Sequence, residues 1–135
     1  MKQQLLATLE TAQNYTMNVA ELMPEEAFGF RPVDGVWSFG ELMHHIGYGL
    51  HWWGDNYIRQ KKTAWEPPMV TVGKRATVHY LEGAFAALRE TVMATPDGDG
   101  LVAGVWATLD HVTHHRGQAT IYLRCQGIVP SEYVW

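Results

Sequence analysis

The stretch WSFGELMHHIGYGLHWWGDNY, residues 37–57, decides the fold. Ser38 and Glu41 stand three apart, just ahead of an apolar run. That is the spacing of a capping box, in which the two side chains satisfy orphan amide donors of a first helical turn. From there Phe39, Leu42, Met43, Ile46, Leu50, Trp53 and Tyr57 recur at three- and four-residue steps. That period lays one apolar stripe along a helix and leaves no room for strand alternation.

The same period recurs on either side. Helix one is expected from about Gln3 to Leu22, with Leu5, Leu9, Ala12, Thr16 and Val19 in register. Pro24 ends it, because proline donates no ladder hydrogen bond and restricts the residue before it. Helix three covers roughly Lys74 to Met93, with Leu81, Ala84, Phe85, Leu88 and Val92 on one face. Helix four runs from about Leu101 to Gln126, with Val102, Val105, Leu109, Val112 and Leu123, and Gly127 is a natural left-handed cap. Four such helices and no convincing strand predict an all-α, antiparallel four-helix bundle, one domain over 1–135. Residues 60–73 form a longer crossover between helices two and three. It admits a topology other than up-down-up-down, and short β segments.

Composition narrows the function. With 135 residues, 47% of them hydrophobic and 18% charged, the chain is long enough for one real core. A net charge of −4 without a basic block points away from nucleic acid. No stretch approaches the roughly 20 apolar residues of a membrane span, and residues 1–13 lack a signal-peptide core. The single cysteine, Cys125, permits no internal disulfide and suits a reducing compartment. A soluble cytoplasmic domain is expected. Cys125 itself reads as a small buried apolar residue.

Seven histidines in so short a chain raise the question of where each one points. His111 and His115 are four apart, so both imidazoles lie on one helix face and can reach one ion. A pair alone is weak; a third ligand must come from another helix. Taking about 100° per residue, His44 falls nearly opposite the apolar stripe of helix two and reads as a solvated or boundary residue. His45 falls at its shoulder, beside Leu42 and Gly49, where the glycine leaves room. His51 and His79 read as structural, and His114 as surface or as a support for the ligands. The predicted metal ligands are therefore His45, His111 and His115.

Other metal chemistries fit less well. A HExxH protease helix is absent, and Glu41-x-x-His44 has no second copy, as a carboxylate-bridged di-iron bundle requires. Three neutral imidazoles suit one divalent transition metal, zinc first, with nickel or iron(II) as alternatives, and disfavour the oxygen-seeking magnesium and calcium.

At these residues the chain resembles the DinB/YfiT-like proteins. The likeness rests on Trp37-Ser-Phe-Gly-Glu-Leu-Met-His-His-Ile46, on His111-Val-Thr-His-His-Arg-Gly-Gln118, on Tyr122-Leu-Arg124 and on Gly127-Ile-Val-Pro130. The resemblance implies a four-helix bundle, often homodimeric. It also implies a metal held by one histidine of helix two and a His-x-x-x-His pair of helix four, which by position are again His45, His111 and His115. Members of known activity include transferases using small thiols such as mycothiol or bacillithiol, and a thiol-dependent maleylpyruvate isomerase.

Three uncharged ligands leave a bound zinc ion its full charge and an open position, the arrangement of catalytic rather than structural sites. The leading expectation is a metal-dependent enzyme that activates a small thiol or water against an electrophile, as a thiol S-transferase or hydrolase. The rival is a non-catalytic metal- or ligand-binding stress-response protein, with Trp52, Trp53 and Trp106 forming a dimer face or an apolar pocket. Around the site, Tyr48 and Gln118 are candidates to line the approach. Asp110 is a doubtful base because it projects about 100° from His111. Arg116 and Arg124 either recognise a carboxylate or are solvated or paired with acids.

Overall fold

The computed structural model describes residues 1–133. Four helices make up the chain: α1 (Lys2–Leu22), α2 (Phe39–Trp53), α3 (Lys74–Ala94) and α4 (Asp99–Cys125), and no strand occurs among the described residues. α2 packs against α3 and α4, and α1 packs against the same two helices. Consecutive helices α1 and α2 thus stand at opposite corners of the bundle. The link between them carries a short 3-10 turn, Glu25–Ala27. No helix is long and apolar enough to cross a membrane.

The apolar stripes make the core. Leu5, Leu9 and Val19 of α1, Phe39, Leu42, Met43, Ile46 and Leu50 of α2, Leu81, Ala84, Phe85, Leu88 and Val92 of α3, and Val105, Leu109, Val112 and Leu123 of α4 are all buried. The start of α2 follows its capping box: Ser38 Oγ accepts from the Glu41 amide at 3.1 Å, and Glu41 Oε2 accepts from the Ser38 amide at 2.6 Å. The end of α4 is a Schellman turn. Gly127 takes φ 74°, its amide donates to the Arg124 carbonyl, and that of Ile128 donates to Leu123.

Helix two departs from expectation at its end. The α-helix stops at Trp53 and continues as one π-helical turn, Gly54–Ile58. The wider turn rotates Tyr57 out of the stripe to 44% exposure and puts Ile58 inside instead. Asn56 Nδ2 donates to the Trp52 carbonyl across it. Gly104 of α4 lets the turn approach, since a Cβ there would come within 2.5 Å of the Tyr57 carbonyl oxygen. Cys125 is exposed, not buried: it lies on the last turn of α4, past the core, with Arg124 and Gln126 beside it also exposed.

Candidate metal centre

His45 on α2 and His111 and His115 on α4 converge where these two helices pack. Nε2 of His45 lies 3.0 Å from Nε2 of His115 and 3.2 Å from Nε2 of His111. A tetrahedral ion with bonds of about 2.0–2.1 Å would hold its ligand atoms about 3.3–3.4 Å apart. The two His45 contacts therefore need only tenths of an ångström of expansion to accept one, and ligand atoms of all three residues lie within 4.8 Å of one another. Few arrangements of neutral imidazoles explain three ring nitrogens aimed at one point, since one proton can satisfy only one of these contacts at a time. The donor set fits a divalent transition metal.

The surroundings fix two of the rings. His115 Nδ1 donates to Gln118 Oε1 at 2.9 Å, which leaves its Nε2 lone pair facing the cluster. Trp37 lies over His45, ring centroids 4.3 Å apart, and Trp65 approaches the same imidazole at 5.4 Å. His111 stacks on Trp53 at 5.4 Å. Its Nδ1 is buried without a hydrogen-bond partner, against Gly49. The room expected from Gly49 thus serves His111, across the helix interface, rather than its own neighbour His45.

Electrostatics keep the rings neutral. Burial, then repulsion from His115, His111 and His44, lowers the His45 pKa to about 4. Burial, then repulsion from His115 and His114, lowers that of His111 to about 4 as well. His115 is lowered by burial, against an opposing pull from Gln118. All three are ready to ligate at neutral pH without first losing a proton.

The remaining histidines divide. His114 and His79 are exposed and stand outside the cluster, and His51 is half-buried. His44 overturns the expectation of a solvated residue. It is 3% exposed and stacked on Tyr80 of α3 at 4.7 Å, and its ring nitrogens lie near the Pro68 backbone without a well-formed hydrogen bond. The physical reason is that α2 packs on two helices, so the face turned from α4 is covered by α3.

Of the other candidates, Gln118 touches His115, whereas the Tyr48 hydroxyl accepts from the Glu66 amide at 2.8 Å. Asp110 is exposed and shares a cavity with Thr8 and Trp106, away from the cluster. Arg124 is exposed, and Arg116 is buried against α1, paired with no acid. Sequence reasoning gave Trp37 and Trp65 no role. Trp37 immediately precedes the Ser38 cap, a position whose side chain packs on the first turns of a helix; Trp65 lies in the irregular 59–73 segment, where no periodicity marks it. Tyr122 holds Trp37 by donating to its carbonyl at 2.7 Å.

No curated protein matches the sequence. A family model described as the DinB superfamily matches residues 8–119, which include all three clustered histidines and the residues that support them from α2 and α4. The chain belongs to the DinB superfamily.

Proposed function

We propose that His45, His111 and His115 bind one divalent transition metal, zinc first, and that the site activates a small thiol or water against an electrophilic substrate, as a thiol S-transferase or hydrolase. The observation that carries this reading is the convergence of three uncharged ligands: His45 Nε2 lies within hydrogen-bond distance of both other Nε2 atoms, and ligand atoms of all three lie within 4.8 Å of one another. When bound, such an ion supplies Lewis acidity, lowering the pKa of water or of a thiol at an open position.

The chain's own residues do the rest. Gln118 holds the His115 tautomer. Trp37 and Trp65 flank His45 and keep bulk water from that side, strengthening electrostatic interactions at the cluster. A pocket of about 340 Å³ beside His115, bordered by Trp37, Gln118 and Tyr122, gives a substrate room to approach. The helices serve this as an antiparallel bundle, in the cytoplasm.

One observation favours the rival, non-catalytic reading. Among the described residues no carboxylate hydrogen-bonds to any of the three histidines, so none raises their basicity in the way the outer carboxylates of many catalytic zinc sites do. Metal analysis of protein freed of any polyhistidine tag, followed by a screen of thiols and electrophiles, separates the two. A transfer or hydrolysis activity that disappears on chelation while the helices stay folded supports the enzyme. Activity retained at full rate by His111→Ala sinks it, and a chain that unfolds on chelation and never forms product supports the binding protein.

A further inference from the structure

On the opposite side of α4 from the metal centre lies a second built site. Arg116 is 4% exposed, yet none of the ion pairs among the described residues includes it. Its Nη1 donates to the Ala12 carbonyl at 3.4 Å and to Thr16 Oγ1 at 3.3 Å, and its Nη2 to the Tyr133 hydroxyl at 3.3 Å. Those are three long bonds to neutral acceptors, against the five donors a guanidinium carries. The Tyr15 and Tyr133 rings lie 4.9 and 5.3 Å from the guanidinium carbon. Their π faces offset part of the desolvation cost but bring no charge. A buried cation ordinarily has a counter-charge.

Beside Arg116 is a cavity of about 250 Å³, whose walls include Trp106, Leu109, Thr11, Tyr133 and Asp110. We propose that this cavity between α1 and α4 binds a small monocarboxylate with an apolar body, the carboxylate on Arg116 and the body against Trp106 and Leu109. A planar guanidinium matches a carboxylate with two parallel hydrogen bonds. Trp106 is 57% exposed, an indole face that a ligand would cover. The volume lies below that of drug-sized sites, which limits the body to about one ring or a short chain. The Asp110 carboxylate on the wall opposes any anion, and a dianion about twice as strongly as a monoanion, so phosphate esters are poorer candidates than a monocarboxylate paired with Arg116. His111 and His115 face α2 while Arg116 faces α1, so this site does not depend on the metal reading.

Calorimetric titration of the full chain with 3-phenylpropionate, 3-phenylpropanol and inorganic phosphate tests it. The titration is run after chelator treatment and again with zinc, because a carboxylate can also ligate a metal. The expected result is one phenylpropionate per chain with the same affinity in both conditions, the alcohol weaker by about tenfold or more, and no heat from phosphate. Arg116→Gln abolishes binding. Should that variant not fold, Trp106→Ala, at an exposed position, weakens binding about fivefold and leaves the melting temperature unchanged. Four results overturn the proposal: no saturable binding, equal binding of the alcohol, binding that needs zinc, or a dimer that Trp106→Ala splits, which would make the groove a contact between copies.

Discussion

The imidazole of His111 occupies the space in which a side chain on Gly49 would stand: a Cβ built there comes within 2.6 Å of Nδ1. The contact joins α2 to α4 and sets how closely His45 and His111 approach. Gly49→Ala would gain about 0.8–1 kcal/mol of helix propensity but overfill a packed interface, at about 1–3 kcal/mol. The ring must shift, and the three Nε2 atoms then diverge. The expected outcome is a modest net loss of thermal stability and zinc affinity lower by about tenfold or more, read by melting and by competition with a chromogenic chelator. Unchanged zinc affinity would mean that His111 is not a ligand.

Gln118 touches the cluster only through His115 Nδ1. Gln118→Leu removes the acceptor that selects the tautomer, at an exposed position where the fold loses little. Zinc affinity should fall about 10–100-fold, with the melting temperature of the metal-free protein nearly unchanged. Gln118→Glu, which keeps an acceptor, should restore most of it. A leucine variant that binds zinc like the parent would reduce the glutamine to a surface residue.

How far the sequence carried this picture follows from geometry. His45, His111 and His115 were legible because both helices keep a 3.6-residue period through the site, so phase arithmetic places their rings. His44 was misread because one stripe was taken as one core-facing side, while α2 is covered by α3 as well as α4. The π turn at Gly54–Ile58 was invisible, since a change of hydrogen-bond register inside an apolar run leaves the residue pattern intact. Trp65 reaches the site from the irregular crossover, and only the folded chain brings it beside His45. Arg116 could be read as an anion ligand or a solvated charge, but its burial against α1 depends on helix packing that spacing does not encode.

His44 supplies a control for the ligand assignment. Its ring nitrogens are buried near the Pro68 backbone without a well-formed hydrogen bond, and its ring stacks on Tyr80. His44→Phe keeps the stacking surface and removes two buried polar atoms that make no well-formed hydrogen bond, a change in favour of the fold of up to roughly 1–3 kcal/mol if packing is kept. The expected outcome is an equal or higher melting temperature and an unchanged stoichiometry of one zinc per chain. Loss of zinc binding in this variant, with the fold intact, would place residue 44 in the site.

Acid should act on the fold before it acts on the metal. His45 and His111 sit at about 4 in the folded chain, held down first by burial, against about 6.5 when unfolded. A folded value below the unfolded one means that the unfolded chain takes up protons first. The stability that neutral rings contribute is therefore complete above about pH 6.5 and is lost as pH falls toward about 4. Urea titrations of metal-free protein should show lower stability at pH 5 than at pH 7.5, with the gap narrowed in His45→Asn. Zinc affinity measured on the folded chain should fall less between about pH 7 and pH 5 than it does for exposed imidazoles, because His45 and His111 hold few protons until about pH 4 and His115 is shifted in the same direction. A midpoint for zinc release near 6.5 would show that the three rings titrate as exposed imidazoles do and are not a buried, mutually repelling cluster.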